Sequence, residues 1–201
     1  MAEPIEFYFD FSSPYGYLLS EQIDEVAARY GRKVKWRPIL LGVVFKATGS
    51  APLTLQFPAK AEYSLRDFER SARFLRVPYR NPSKFPLPTQ AAARAYYWLH
   101  GQDCAQARAF AHAVYRALFV EDRDISSPET VADIAAGLGL DRDQVAAAIQ
   151  SPEMKDRLKA ECDAALAKGV FGSPYVIIDG EPFFGADRLP QIEKWLETGG
   201  F

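Results

Sequence analysis

Residues 5–19 read IEFYFDFSSPYGYLL. The first six, IEFYFD, form an aromatic-rich apolar run that predicts a strand. Ser13-Pro14 then sets a hydroxyl at a helix N-cap and proline at the first helical position. The apolar positions Tyr17, Leu18, Ile23, Val26, Ala27 and Tyr30 predict one helix over 14–30, stopped by Gly31, and KVKWR at 33–37 supplies the next strand. The chain therefore opens as a β-α-β unit. Ser13 follows a strand directly, so its hydroxyl and the first helical amides face outward from a strand end, where α/β sheets hold ligands.

The other end of the chain completes the pattern. YVIID (175–179) and EPFFG (181–185) are strand-like and share the turn Asp179-Gly180, a strong hairpin signal, and residues 187–198 predict a helix ending at Gly199-Gly200. Between the two ends, 62–168 has no convincing alternating run and is rich in helix formers. Ser127-Pro128-Glu129 and Ser151-Pro152-Glu153 start helices, and Asp141 with Gln144 makes a capping box. Arg66, Arg70 and Arg73 share a helix face opposite Phe68, Ala72 and Leu75, as a solvated basic face does. Only 45–60 looks loop-like. The layout β-α-β … β-β-α is that of an α/β, thioredoxin-like fold with a large helical insertion. The expected division is 1–44 and 169–201 as the thioredoxin-like domain, with the helix near 152–168 packing on it, and 45–168 as the helical insertion.

Composition bounds the chemistry. The chain has 201 residues, 48% hydrophobic and 25% charged, which suits a folded domain with a sizeable core. Lys+Arg 24 against Asp+Glu 26 leaves a net charge of −2, so nucleic acid is not the expected partner. No apolar run approaches the roughly 18 residues of a membrane helix, and the start MAEPIEFYFDF lacks a leader pattern, so a cytoplasmic protein is expected. Cys104 and Cys162 lie far apart, outside any C-x-x-C, and neither clusters with His100 or His112, so no metal site and no dithiol centre are expected. His100, before Gly101, reads as a helix-end cap and His112 as a packed residue.

Three segments in order, FDFSSPYGYL, VFGSPYVII and FFGADRL, resemble the 2-hydroxychromene-2-carboxylate isomerases, relatives of the kappa-class glutathione transferases and DsbA-like proteins. The resemblance spans essentially the whole chain. Where DsbA-like oxidoreductases carry C-x-x-C, this chain has Ser13-Pro14-Tyr15-Gly16, so dithiol exchange is chemically impossible there. The resemblance implies glutathione as cofactor and Ser13 as the catalytic residue facing its sulfur. It implies that Ser173, before a cis-proline, offers its backbone to the cysteinyl part, an edge-strand mode of recognition. It implies further that Phe184, Gly185, Ala186 and Asp187 bind the cofactor, with Ala186 and Asp187 at its γ-glutamyl end. Position alone does not identify a cis bond, since only about 5–6% of X-Pro bonds are cis. Arg188 is placed to pair with Asp187 or with a carboxylate.

Physical chemistry supports the Ser13 role independently. A thiol with a reference pKa of about 8.5 is mostly protonated at neutral pH, and donors at a helix start favour the thiolate. A serine hydrolase would need an aligned base, and G-x-S-x-G is absent. On the substrate side, PILLGVVFKATGS resembles the family's loop after the second strand, with Ser50 where asparagine is usual; serine is shorter and offers fewer donors. Lys46, Lys60 and Phe85 fall near pocket positions, and a cation with an aromatic suits a planar aromatic carboxylate. The implied activity is glutathione-dependent isomerisation of 2-hydroxychromene-2-carboxylate to trans-o-hydroxybenzylidenepyruvate in aromatic hydrocarbon breakdown, by a homodimer. A kappa-like transferase or peroxidase is one alternative, and a non-catalytic glutathione- or peptide-binding module is another.

Overall fold

The structure is a computed structural model that describes residues 3–201. β1 (Ile5–Phe9) is an inner strand of a four-stranded sheet of order β2-β1-β3-β4, with β2 (Val34–Pro38) parallel to it, β3 (Tyr175–Ile178) antiparallel to it and β4 (Glu181–Phe184) antiparallel to β3. Phe7 sits opposite both Trp36 and Val176, so the aromatic run of β1 is buried between its two neighbours. The hairpin expected at Asp179-Gly180 forms, with both residues at positive φ (52° and 90°).

The segment read as one helix over 14–30 is two: α1 (Pro14–Ser20) and α2 (Ile23–Arg29). The residues one turn beyond Tyr17 and Leu18 are Glu21 and Gln22, so an unbroken helix would turn charge toward the core. The break at Gln22 (φ −131°) re-phases the chain so that Ile23, fully buried, resumes the apolar face. The loop expected over 45–60 is also corrected. Its first part belongs to α3 (Leu41–Thr48), which stops at left-handed Gly49, and a single 3₁₀ turn follows at Leu53–Leu55. The last helix splits as well, into a 3₁₀ turn at Ala186–Arg188 and α10 (Leu189–Thr198). Pro190 has no N–H to return to residue 186, so the α-helical ladder begins later.

The central block is helical as expected: α4 (Pro58–Leu75), α5 (Gln90–His100), α6 (Cys104–Phe119), α7 (Pro128–Ala136), α8 (Arg142–Gln150) and α9 (Pro152–Ala167). Ser127, Asp141 and Ser151 cap α7, α8 and α9 by accepting first-turn amides. Arg66, Arg70 and Arg73 lie exposed on α4, paired with Glu62, Asp67 and Glu69, while Phe68 and Ala72 are buried. His100 ends α5, but its ring faces the Cys104 thiol at 3.6 Å. His112 lies 2.9 Å from Glu21 and edge-on to Trp36.

Three buried tyrosines dock the helical block onto the strand ends. Tyr96 and Tyr97 of α5 donate to the carbonyls of Trp36 and Pro38, and Tyr115 of α6 donates to that of Asp10. A buried phenol needs such a partner, so these bonds fix where the block sits on the sheet. On the other side of β2, Arg37 pairs with Glu6 and with Glu161 of α9.

Candidate functional site

At the C-terminal end of β1, a cleft of about 1920 Å³ opens between the sheet and the helical block. Its floor is the β1–α1 turn and the loop before β3; its walls are α3, α4, residues 85–90 and the turn after β4. Ser13, Ser173, Phe184, Gly185, Ala186, Asp187, Lys46, Ser50, Phe85 and Lys60 all line it.

Ser13 and Ser173 are brought into contact. Ser13 Oγ accepts the Gly16 N–H at 3.0 Å, the N-cap bond its position predicts, and donates to the Ser173 carbonyl at 3.0 Å. The serine is therefore both a helix cap and a floor residue. The Ser173–Pro174 bond is cis, as is Phe85–Pro86 on the opposite wall. Ser173 Oγ in turn accepts the Asp10 N–H at 2.9 Å.

Gly185 sits at φ +111°, a conformation side chains rarely adopt, and a Cβ there would stand 2.4 Å from Asp187 Oδ1. This close approach tucks the carboxylate against the backbone. Asp187 caps no helix; its side chain pairs with Arg188 at 2.6 Å, one of the two pairings its sequence position suggested. Phe184, half exposed, packs on Phe171 with centroids 4.7 Å apart.

Lys46, Lys60 and Ser50 are exposed on the far wall, and among the described residues neither lysine forms an ion pair. Phe85 packs edge-on to Phe68 of α4, giving that wall an apolar surface. The cleft thus carries hydroxyl, peptide and carboxylate groups at its floor and free cations beside aromatic rings opposite. Such a donor set fits a tripeptide thiol with two carboxylates and one ammonium group, beside an aromatic acid.

Sequence reasoning missed several lining residues. Tyr15 donates its phenol to Asp67 of α4 and packs on Phe68. Burial and then this carboxylate push the Tyr15 phenol above its usual range. Burial raises the Asp67 carboxyl, but the bonds from Tyr15 and Arg70 prevail and hold it below the ordinary carboxylate range. Asp10, Ser12 and Thr89 form a buried polar cluster beneath Ser13. Among the described residues, no group of three or more His, Cys, Asp or Glu could hold a metal ion, and no helix is long and apolar enough to cross a membrane.

A β-α-β … β-β-α sheet interrupted by helices, with its cleft at the first helix and the cis-proline loop, defines a thioredoxin-fold protein of the DsbA type. The chain belongs to the DSBA-like thioredoxin domain family, whose model matches residues 4–197. Within that family it is 32% identical, over 98% of this chain and 99% of the other, to a 2-hydroxychromene-2-carboxylate isomerase of Sphingobium xenophagum. It is 27% identical to glutathione S-transferase kappa 2 of Caenorhabditis elegans, over 96% and 91% of the two chains. A solved structure of a 2-hydroxychromene-2-carboxylate isomerase superposes with a TM-score of 0.87 at 26% identity, covering 97% of this chain and 95% of that one. The relatives are isomerases and glutathione transferases, so the chain falls in an enzyme family.

Proposed function

We propose that this protein is a glutathione-dependent isomerase that interconverts 2-hydroxychromene-2-carboxylate and trans-o-hydroxybenzylidenepyruvate. The observation that carries the reading is the meeting of Ser13 with Ser173 at the floor of a cleft that also holds Asp187, in a chain whose relatives bear that name.

Glutathione, when bound, would supply a thiolate able to add to the conjugated system once the hemiketal C–O bond has opened to phenol and ketone, and to leave again after rotation about the bond so made single. Ser13 turns its hydroxyl from the Ser173 carbonyl toward the sulfur and holds it as the anion. Ser173 presents its peptide group to the cysteinyl portion, its carbonyl freed for that contact as Ser13 turns away. Asp187 holds the γ-glutamyl ammonium, and Phe184, Gly185 and Ala186 shape that end. Lys46, with Ser50, holds the substrate carboxylate, and Phe85 packs on its ring. The apolar faces of Phe85 and Phe68 exclude water from the conjugated system.

The protein works in the cytoplasm, where glutathione is kept reduced, and as a homodimer. Residues 1–44 and 169–201, with α9 against them through Glu161 and Arg37, act as the thioredoxin-like domain, and 45–168 as the insertion that supplies the substrate wall. The similarity to a kappa-class transferase favours one second reading, release of a glutathione conjugate in place of an isomer.

The test is direct. Purified protein is mixed with 2-hydroxychromene-2-carboxylate with and without glutathione, and the absorbance of the ring-opened acid is followed. Turnover that requires glutathione and returns it unconsumed supports the isomerase. Loss of free thiol with a conjugate by mass spectrometry supports the transferase, and no turnover in either assay removes both.

A further inference from the structure

We propose that Asp10 is a positioning residue that holds the Ser13–Ser173 pair in register by tying together four segments of the cleft's floor and walls. The ligand side of this inference rests on the glutathione reading above.

Asp10 follows β1 directly and is 2% exposed. Its Oδ1 accepts from the Ser12 N–H at 2.7 Å, the Ser12 hydroxyl at 2.8 Å and the Thr89 hydroxyl at 3.0 Å. Its Oδ2 accepts from the Leu41 N–H at 2.6 Å. Its own N–H donates to Ser173 Oγ, and its carbonyl accepts from the Ser13 N–H at 2.9 Å and the Tyr115 hydroxyl at 3.1 Å. The β1–α1 turn, the first residue of α3, the N-cap of α5 and the cis-proline loop therefore all bond to one residue. Ser13 and Ser173 are each one hydrogen bond from it, on opposite sides.

A packing role alone does not account for this residue. A buried carboxylate is costly unless it is paired or fully hydrogen-bonded, and among the described residues no cation forms an ion pair with Asp10. Burial pushes its carboxyl above the ordinary range, against the pull of its four donors. A buried carboxyl group of this kind trades stability for geometry, and the geometry fixed is that of the site. Thr89 points the same way. It stands at the N-cap of α5 yet makes no capping bond, and its hydroxyl goes to Asp10 instead.

The experiment uses Asp10→Ala, Asp10→Asn and Thr89→Val, with Ile149→Ala in α8, away from the cleft, as the control for lost stability. For each, the thermal midpoint, the glutathione dissociation constant by calorimetry and a crystal structure are measured. Thr89→Val and Asp10→Asn are expected to weaken glutathione about three- to tenfold, and Asp10→Ala more, with the Ser13–Ser173 contact opened. Ile149→Ala is expected to lower the midpoint at least as far and leave affinity unchanged. Affinity losses no greater than the control's, or a Ser13–Ser173 contact that stays closed in the variants, would overturn the proposal. If Asp10→Ala does not fold, the two milder variants decide the matter. Wild type that binds no glutathione defeats the function proposed above, and the crystal structures then test Asp10 alone.

Discussion

Ser13 and Ser173, 160 positions apart in sequence, meet hydroxyl to carbonyl at 3.0 Å. A serine hydroxyl has one proton to give, and here the Ser173 carbonyl takes it while the Gly16 N–H fills an acceptor site. A thiolate arriving at Ser13 therefore exchanges one hydrogen bond for another and gains only the difference. A charge-assisted bond is worth about 1.5–3 kcal/mol and the neutral one it replaces about 0.5–1.5. The exchange is worth about 1.5 kcal/mol, roughly tenfold in rate.

Ser13→Ala is accordingly expected to slow turnover about tenfold. Removing the N-cap should also cost about 1 kcal/mol of stability in urea. The pKa of bound glutathione should rise, because the lost donor favoured the anion, and part of the rate should return at higher pH. Ultraviolet titration of the thiolate in wild type and variant measures this. An unchanged thiolate pKa with full activity would leave Ser13 as a helix cap and nothing more.

At the other end of the proposed cofactor site, Asp187→Ala is expected to weaken glutathione by about 1.5–3 kcal/mol, ten- to a hundredfold, with a much smaller effect on kcat. Stability should change by less than about 0.5 kcal/mol, since Asp187 is exposed and its pair with Arg188 is a surface one. Calorimetry on the folded variant checks both. An unaltered dissociation constant places the γ-glutamyl group elsewhere.

The two thiols should behave oppositely. Cys104 is exposed at the start of α6, whereas Cys162 is buried on α9, where burial pushes its thiol up to about 11. Neither lines the cleft. One thiol per chain should react with a disulfide reagent in native buffer at neutral pH, and both in denaturant. Cys104→Ser should keep full activity; its inactivation would show that a thiol of the protein takes part.

Local chemistry explains what the sequence made legible. The four strands announce themselves through aromatic and β-branched runs and the Asp-Gly turn, and Ser13, Ser127 and Ser151 through the proline that follows each. α3 was hidden because LLGVVFKA is apolar around most of its circumference, and only Val44 is buried. Asp67 was hidden among the charges of α4, where nothing local marks the one carboxylate that turns toward Tyr15. Asp10 stands in the quoted motif, but its partners Leu41, Thr89 and Ser173 come from distant segments, so only the tertiary structure reveals its role. Motif residues carry the site in sequence; the groups that hold them in place do not.

Gly16 offers a test in which helix propensity and site geometry oppose each other. It occupies the third position of α1, where alanine is intrinsically better than glycine by about 1 kcal/mol, and its φ lies outside the positive region. Propensity alone predicts that Gly16→Ala stabilises the protein. A Cβ there, however, would lie 2.9 Å from Ser173 Oγ, 3.0 Å from Ser13 Cβ and 3.0 Å from the Tyr115 hydroxyl. Ser13 and Tyr115 are both buried, so neither can swing into solvent to make room. Overpacking of this kind costs about 1–3 kcal/mol, which outweighs the helix gain and leaves a net loss of up to about 2 kcal/mol. Because the displaced atoms are those of the Ser13–Ser173 pair, glutathione affinity should fall at least tenfold. Urea unfolding and calorimetry on the one variant measure both quantities. A rise in stability with unchanged affinity would mean that the floor of the cleft yields easily and that the placement of Ser13 and Ser173 relative to each other is not what binding requires.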